Sequence, residues 1–138
     1  MSKDWVQDIN KMHEKYGVRP VVEKMDRLDL RTFLNFRVKF LNEELDETKL
    51  AANSAGYIDE EEVVDGLIDL CVVAIGTLDA FGVDPYKAWD AVLEANMNKE
   101  VGIKETRPNP LGLPDLIKPE GWVAPSHKGN HGDLKKIS

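Results

Sequence analysis

The sequence predicts an all-α protein on three observations. Apolar residues recur at helical spacing in four segments, glycine or proline punctuates the segment ends, and no stretch reads as a convincing strand. The first segment, 4–16, carries Trp5, Ile9 and Met12 on one side and stops at Gly17, a residue suited to the left-handed turn after a helix. The stretch GVRPVVEKMDR reads as a connector. A long helix follows over 29–53, ending near Gly56, with Leu34, Val38, Leu41 and Leu45 on one stripe and Phe33, Phe36 and Phe40 on its neighbour. The next helix, 59–82, starts at Asp59, with Glu62 placed to complete a capping box, and ends at Gly82. The fourth starts at Asp84 with Pro85 in the first turn, is expected to turn Tyr86, Trp89, Val92 and Leu93 inward, and ends near Gly102.

Residues 103–138 hold five of the seven prolines and four of the ten glycines, so an irregular tail is expected to wrap the bundle through LIKPEGWVAP. At 138 residues the chain reads as a single domain, 1–138, with a helical core over about 4–102. No apolar run reaches the ~20 residues of a membrane span, and MSKDWVQDIN lacks a secretory apolar region, so a soluble, cytoplasmic protein with no membrane partner is expected. The single cysteine, Cys71, sits in LIDLCVVAIGTL as a small hydrophobe, which fits a reducing compartment.

The net charge of −7 is unevenly placed: ten acids and one base, Lys49, fall between Glu43 and Asp69. Nucleic acid is therefore not expected as a partner, because phosphate backbones need basic groups. Cations are favoured. Glu44 and Glu47 continue the line of Phe33, Phe36 and Phe40, Glu43 stands beside Glu47, and Asp46 points to solvent. Glu62, Asp65 and Asp69 share one line of the following helix, and the apolar neighbours of Asp69 predict that it is at least partly buried. Facing carboxylates on an apolar stripe are costly without countercharge, and several oxygen donors around a small volume suit Mg²⁺ or Mn²⁺. Asp59, Glu60 and Glu61 read as surface charge favoured by the helix dipole.

Other carboxylate architectures do not fit. A calcium loop centred on Gly56 would need ligands at Ala51, Asn53 and Ala55, and none of His13, His127 and His131 completes the Glu-x-x-His of a di-iron bundle. A phosphate-binding GxxxxGK[ST] and a nucleophile elbow are both missing.

EELDE (Glu43, Glu44, Glu47), fourteen residues, then EVVD (Glu62, Asp65) resembles the EExxE…ExxD signature of the all-α NTP pyrophosphohydrolases, the MazG, HisE and dimeric dUTPase superfamily. RVKFLNEELDE, VDGLIDLCVVAIGTLDAFGVD, WDAVLEANMNK and LIKPEGWVAP resemble its phage MazG-like members in particular. The resemblance implies cleavage of a nucleoside triphosphate between its α and β phosphates, with Glu44, Glu47, Glu62 and Asp65 holding Mg²⁺. It leaves Glu43 or Glu47 as the base that takes a proton from water, and Asp69 as a further ligand or a core hydrogen-bonding group. Asn96 and Lys99 match positions that contact substrate phosphate or sugar.

Arg37 is a further candidate for phosphate, His13 for the base pocket, and Trp122 for stacking on a base or for packing as an anchor. Deoxynucleotides are the expected substrates, dGTP ahead of dCTP and dUTP. Apolar residues on more than one face of the long helices predict a homodimer or homotetramer, and the phage likeness a host-cytoplasm setting. A non-enzymatic alternative is an acidic protein that mimics DNA, which would spread its acids over exposed faces.

Overall fold

The computed structural model describes residues 3–53 and 55–138. They fall into two compact units, the residues up to 85 with 131–138, and 86–130. In the first unit, α1 (Trp5–Tyr16) is capped by Asp4, which accepts from the Gln7 N–H, and is closed by Gly17 at φ 69°. The expected connector contains a helix, α2 (Val18–Glu23). Pro20 lies in its first turn, where a missing N–H costs no helical bond, and Val22 is fully buried.

The long helix α3 (Arg27–Ala52) starts two residues before the expected 29, because Asp26 caps it by accepting from the Asp29 N–H at 2.8 Å. Helix α4 (Glu60–Ala80) is capped by Asp59, which accepts from the Glu62 N–H. The reciprocal arm of the expected capping box is replaced: the Asp59 N–H donates to the Ala51 carbonyl and ties the start of α4 to the end of α3. At its other end the N–H groups of Gly82 and Val83 donate back to Asp79 and Leu78, a Schellman closure for which Gly82 supplies φ 73°.

Helices α3 and α4 run antiparallel in one register. Phe33 stacks on Phe81 with ring centroids 5.5 Å apart, Arg37 Nε donates to Thr77 Oγ1, and Thr48 meets Gly66. The buried core lies at the Phe81 end, where Val22, Leu30, Ala80, Phe81, Val83 and Ile137 cluster with Phe33 and Leu34 around them. The acids lie toward the opposite end of the pair. Only a narrow stripe of α3 is covered: Phe36, Val38 and Leu45 of the expected stripes are exposed.

Residues 131–138 return to the first unit. A 3-10 helix, Gly132–Lys136, is anchored by the Asp133 N–H, which donates to the Phe81 carbonyl at 2.7 Å. A Cβ on Gly132 would lie 2.8 Å from the Gly82 carbonyl carbon, so only glycine allows this approach. Arg19 donates to the Ala80 carbonyl at 2.7 Å and to Asp133 at 2.8 Å, satisfying an otherwise orphaned carbonyl at the C-terminal end of α4.

Desolvation pushes the Asp133 carboxyl upward, but hydrogen bonds from Lys136 and Arg19, with the charge of both, outweigh it and hold it below the usual 3.8. The unfolded chain therefore binds the proton more readily, and the stabilisation is fully present above about pH 4 and lost as pH falls through the folded value. Thermal melts should show an acid-side loss of stability that Asp133→Asn flattens; an unchanged slope would assign the acid sensitivity to other groups.

Helix α5 (Pro85–Met97), which lies in the second unit from Tyr86 on, stops five residues before the expected end. The chain then forms a short antiparallel ladder of β1 (Glu100–Gly102) and β2 (Asp115–Ile117), which the sequence reading did not anticipate. Tyr86, Trp89, Val92 and Leu93, expected inward, are all exposed, Trp89 at 68 %.

Candidate active site

The acid-bearing halves of α3 and α4 come close because Gly66 presents no side chain. A Cβ there would overlap Thr48 Oγ1 and lie 3.3 Å from Thr48 Cβ. Thr48 is itself held, its hydroxyl donating to the Glu44 carbonyl at 2.8 Å. This contact lies between Glu44 and Glu47 on one side and Asp65 and Asp69 on the other. The Glu44 carboxyl is pushed above its ordinary 4.5, first by desolvation and then by the negative charges of Glu47, Asp69, Asp65 and Glu43. Four neighbouring carboxylates thus act on Glu44.

The helix register explains who belongs. It sets Glu44 level with Asp69 and Leu70, whereas Glu62 is level with Ala52, about one turn beyond Glu47. Asp69 is half-buried and is among the acids that raise Glu44, and Glu62 is not among them. Glu44 is half-buried too, but Glu43, Glu47, Glu62 and Asp65 are exposed rather than folded against apolar neighbours. Asp46 faces solvent as expected.

Among the described residues no group of three or more His, Cys, Asp and Glu side chains is arranged so as to hold a metal ion in this conformation. The donor chemistry nevertheless fits one. Every member of the set is a hard carboxylate, and desolvation together with the charges of its neighbours raises Glu44, an effect a divalent cation would oppose.

The remaining candidates are placed as follows. Arg37, half-buried, donates from Nε to Thr77 Oγ1 and from Nη2 to the Val73 carbonyl, each at 3.0 Å, and desolvation lowers its pKa. Its guanidinium therefore ties α3 to α4. His13 is buried, not solvent-facing: Nδ1 donates to Asp79 Oδ2 at 2.9 Å, and Asn10 Nδ2 donates to Asp79 Oδ1 at 2.9 Å. His13 and Arg37 both reach Gly76, where a Cβ would lie 3.2 Å from His13 Nε2 and 2.8 Å from Arg37 Nη2. The sequence reading missed Asn10, Asp79 and Thr77. Asp79 follows His13 by 66 residues, so no local spacing could reveal the pair.

In the second unit, Trp122 donates from Nε1 to the Ala95 carbonyl at 2.7 Å, the posture of a packing anchor. Lys99 Nζ lies 5.2 Å from the centre of its ring. Asn96 is half-buried, and its backbone carbonyl accepts from the Lys99 backbone N–H.

Fold and site together define an all-α protein with a carboxylate set shared by two antiparallel helices and suited to a hard cation. The chain belongs to the phosphoribosyl-ATP pyrophosphohydrolase family, whose model matches residues 24–96, and through it to the all-α NTP pyrophosphohydrolases. No curated protein matches the chain. The matched segment contains α3, α4 and all of α5 but Met97, with every acid of the set; His13, Lys99 and Trp122 lie outside it. The chain is accordingly a hydrolase acting on nucleotide phosphoanhydrides, from a family that depends on divalent metal.

Proposed function

We propose that the protein is a Mg²⁺-dependent nucleoside triphosphate pyrophosphohydrolase that gives a nucleoside monophosphate and pyrophosphate, with Mn²⁺ able to substitute. The convergence of Glu43, Glu47, Asp65 and Asp69 on Glu44 is the observation that supports this most. Glu44, Glu47, Asp65 and Asp69 would hold the metal, with Glu62 an outer member of the set. When bound, the metal neutralises the triphosphate and lowers the pKa of a coordinated water. Glu43 and Glu47, both exposed, are the candidates to take a proton from that water. Asn96 and Lys99 hold substrate phosphate or sugar.

Deoxynucleotides are the proposed substrates, dGTP ahead of dCTP and dUTP, and nucleotide-pool control in the cytoplasm of a phage host is the proposed setting. A homodimer or homotetramer would cover the exposed Phe36, Val38, Trp89 and Met97. Pyrophosphate release from each ribo- and deoxynucleoside triphosphate, with Mg²⁺, Mn²⁺ or chelator, tests the reading. Metal-dependent release from a subset of nucleotides is expected, and none from any of them would overturn it.

A further inference from the structure

Glu100 pairs with Ile117, Val101 with Leu116 and Gly102 with Asp115, so Lys99 and Lys118 are the residues next to the last pair, just outside the ladder. Like charges directly opposite on neighbouring strands are destabilising. These two nevertheless converge: Lys99 Nζ lies 5.2 Å and Lys118 Nζ 5.0 Å from the centre of the same ring, Trp122. The indole is fixed by its hydrogen bond to the Ala95 carbonyl. The ring offsets part of the repulsion and holds two full positive charges against one indole.

Carboxylates do not neutralise them. Among the described residues neither lysine makes an ion pair, and Asp115 on the same ladder is held by Arg107 at 2.6 Å. That hydrogen bond keeps the Asp115 carboxyl below its ordinary range. A like-charge pair kept together in a chain of net charge −7 breaks a local rule, and such breaks concentrate at functional sites. A phosphate chain is the ligand that resolves it, since several oxyanions on one short chain meet two ammonium groups at once.

We propose that Lys99 and Lys118, resting on Trp122, form a site for a pyrophosphate group within residues 86–130; the identity of the anion rests on the proposed pyrophosphohydrolase activity. Lys118 is thereby a binding residue. The group comes either from the substrate's polyphosphate chain or from the released product.

Calorimetric titration of the full chain in chelator, which removes any metal-borne phosphate site, tests this. The probes are inorganic pyrophosphate, an α,β-methylene nucleoside triphosphate, and inorganic phosphate. Wild type should bind pyrophosphate more tightly than phosphate. Lys118→Gln should weaken it about tenfold, as loss of a charge-assisted contact does, and Lys118→Arg should restore it. Lys118→Gln should also melt no lower than wild type, because it removes a like-charge pair. An equal loss with the methylene analogue assigns the site to the substrate chain, and a loss with pyrophosphate alone to the product.

Pyrophosphate binding no tighter than phosphate, or unchanged in Lys118→Gln, would overturn the proposal. Hydrolysis measured alongside with Mg²⁺ separates the two readings. Activity without this binding removes the lysine site alone, whereas binding without activity removes the proposed reaction and leaves an anion site.

Discussion

Asp65→Asn should lower metal-dependent pyrophosphate release by about 10²–10³-fold, the loss that follows removal of one preorganised electrostatic group. The substitution keeps the shape of the side chain and deletes one negative charge from the set that acts on Glu44. Stability should not fall with activity: Asp65 is exposed, and removing it relieves repulsion, so the metal-free variant should melt at or above wild type. Glu47→Gln should behave alike, with the added loss of a proton acceptor if Glu47 rather than Glu43 is the base. Steady-state kinetics at several metal concentrations check this. Full activity in both variants would mean that these acids are surface charge.

Asp79→Ala should destabilise the first unit by about 3 kcal/mol, the lower end of the cost of breaking a buried polar pair. An ionised carboxylate only accepts, so Asp79 is the acceptor for both Asn10 and His13, and its removal leaves one buried and one half-buried donor without a partner. The consequence spreads through Gly76, where His13 of α1 and Arg37 of α3 meet α4. Asp79→Asn should cost less, because its carbonyl oxygen still accepts from one of the two. Urea unfolding followed by circular dichroism reads both, and an Asp79→Ala midpoint equal to wild type would contradict the assigned role.

The helices were legible because their signals are local. Asp4, Gly17, Asp59 and Gly82 each mark an end through a backbone bond that lies within five residues of them. The start of α3 was marked less sharply, since Asp26 and Asp29 are both of a residue type that caps helices and only the observed bond from the Asp29 N–H distinguishes them. Helix α2 was missed because a six-residue helix containing Pro20 has little intrinsic preference and is held by the burial of Val22, a tertiary effect. The short ladder after α5 was missed for a similar reason, as its three-residue strands are too brief to show a period.

The site was legible as residue types and less so as a set. Helical phase aligned Glu62 with Asp65 and Asp69 but said nothing of how far α4 slides along α3. That offset depends on Gly66 meeting Thr48 and on Phe33 meeting Phe81, contacts between distant parts of the chain. It brings Asp69 level with Glu44 and leaves Glu62 further along the pair, level with Ala52. The pairing of Lys99 with Lys118 was hidden in the same way, since it follows from ladder register and not from either residue's neighbours.

Product analysis by ³¹P NMR tests the central claim most directly. With Mg²⁺ and a cleaved deoxynucleoside triphosphate, the wild-type protein should give equal amounts of nucleoside monophosphate and pyrophosphate, and Asp65→Asn should give neither at a comparable rate. Nucleoside diphosphate with inorganic phosphate, or the same products at the same rate from both proteins, would contradict the assignment of this acidic set to α–β cleavage.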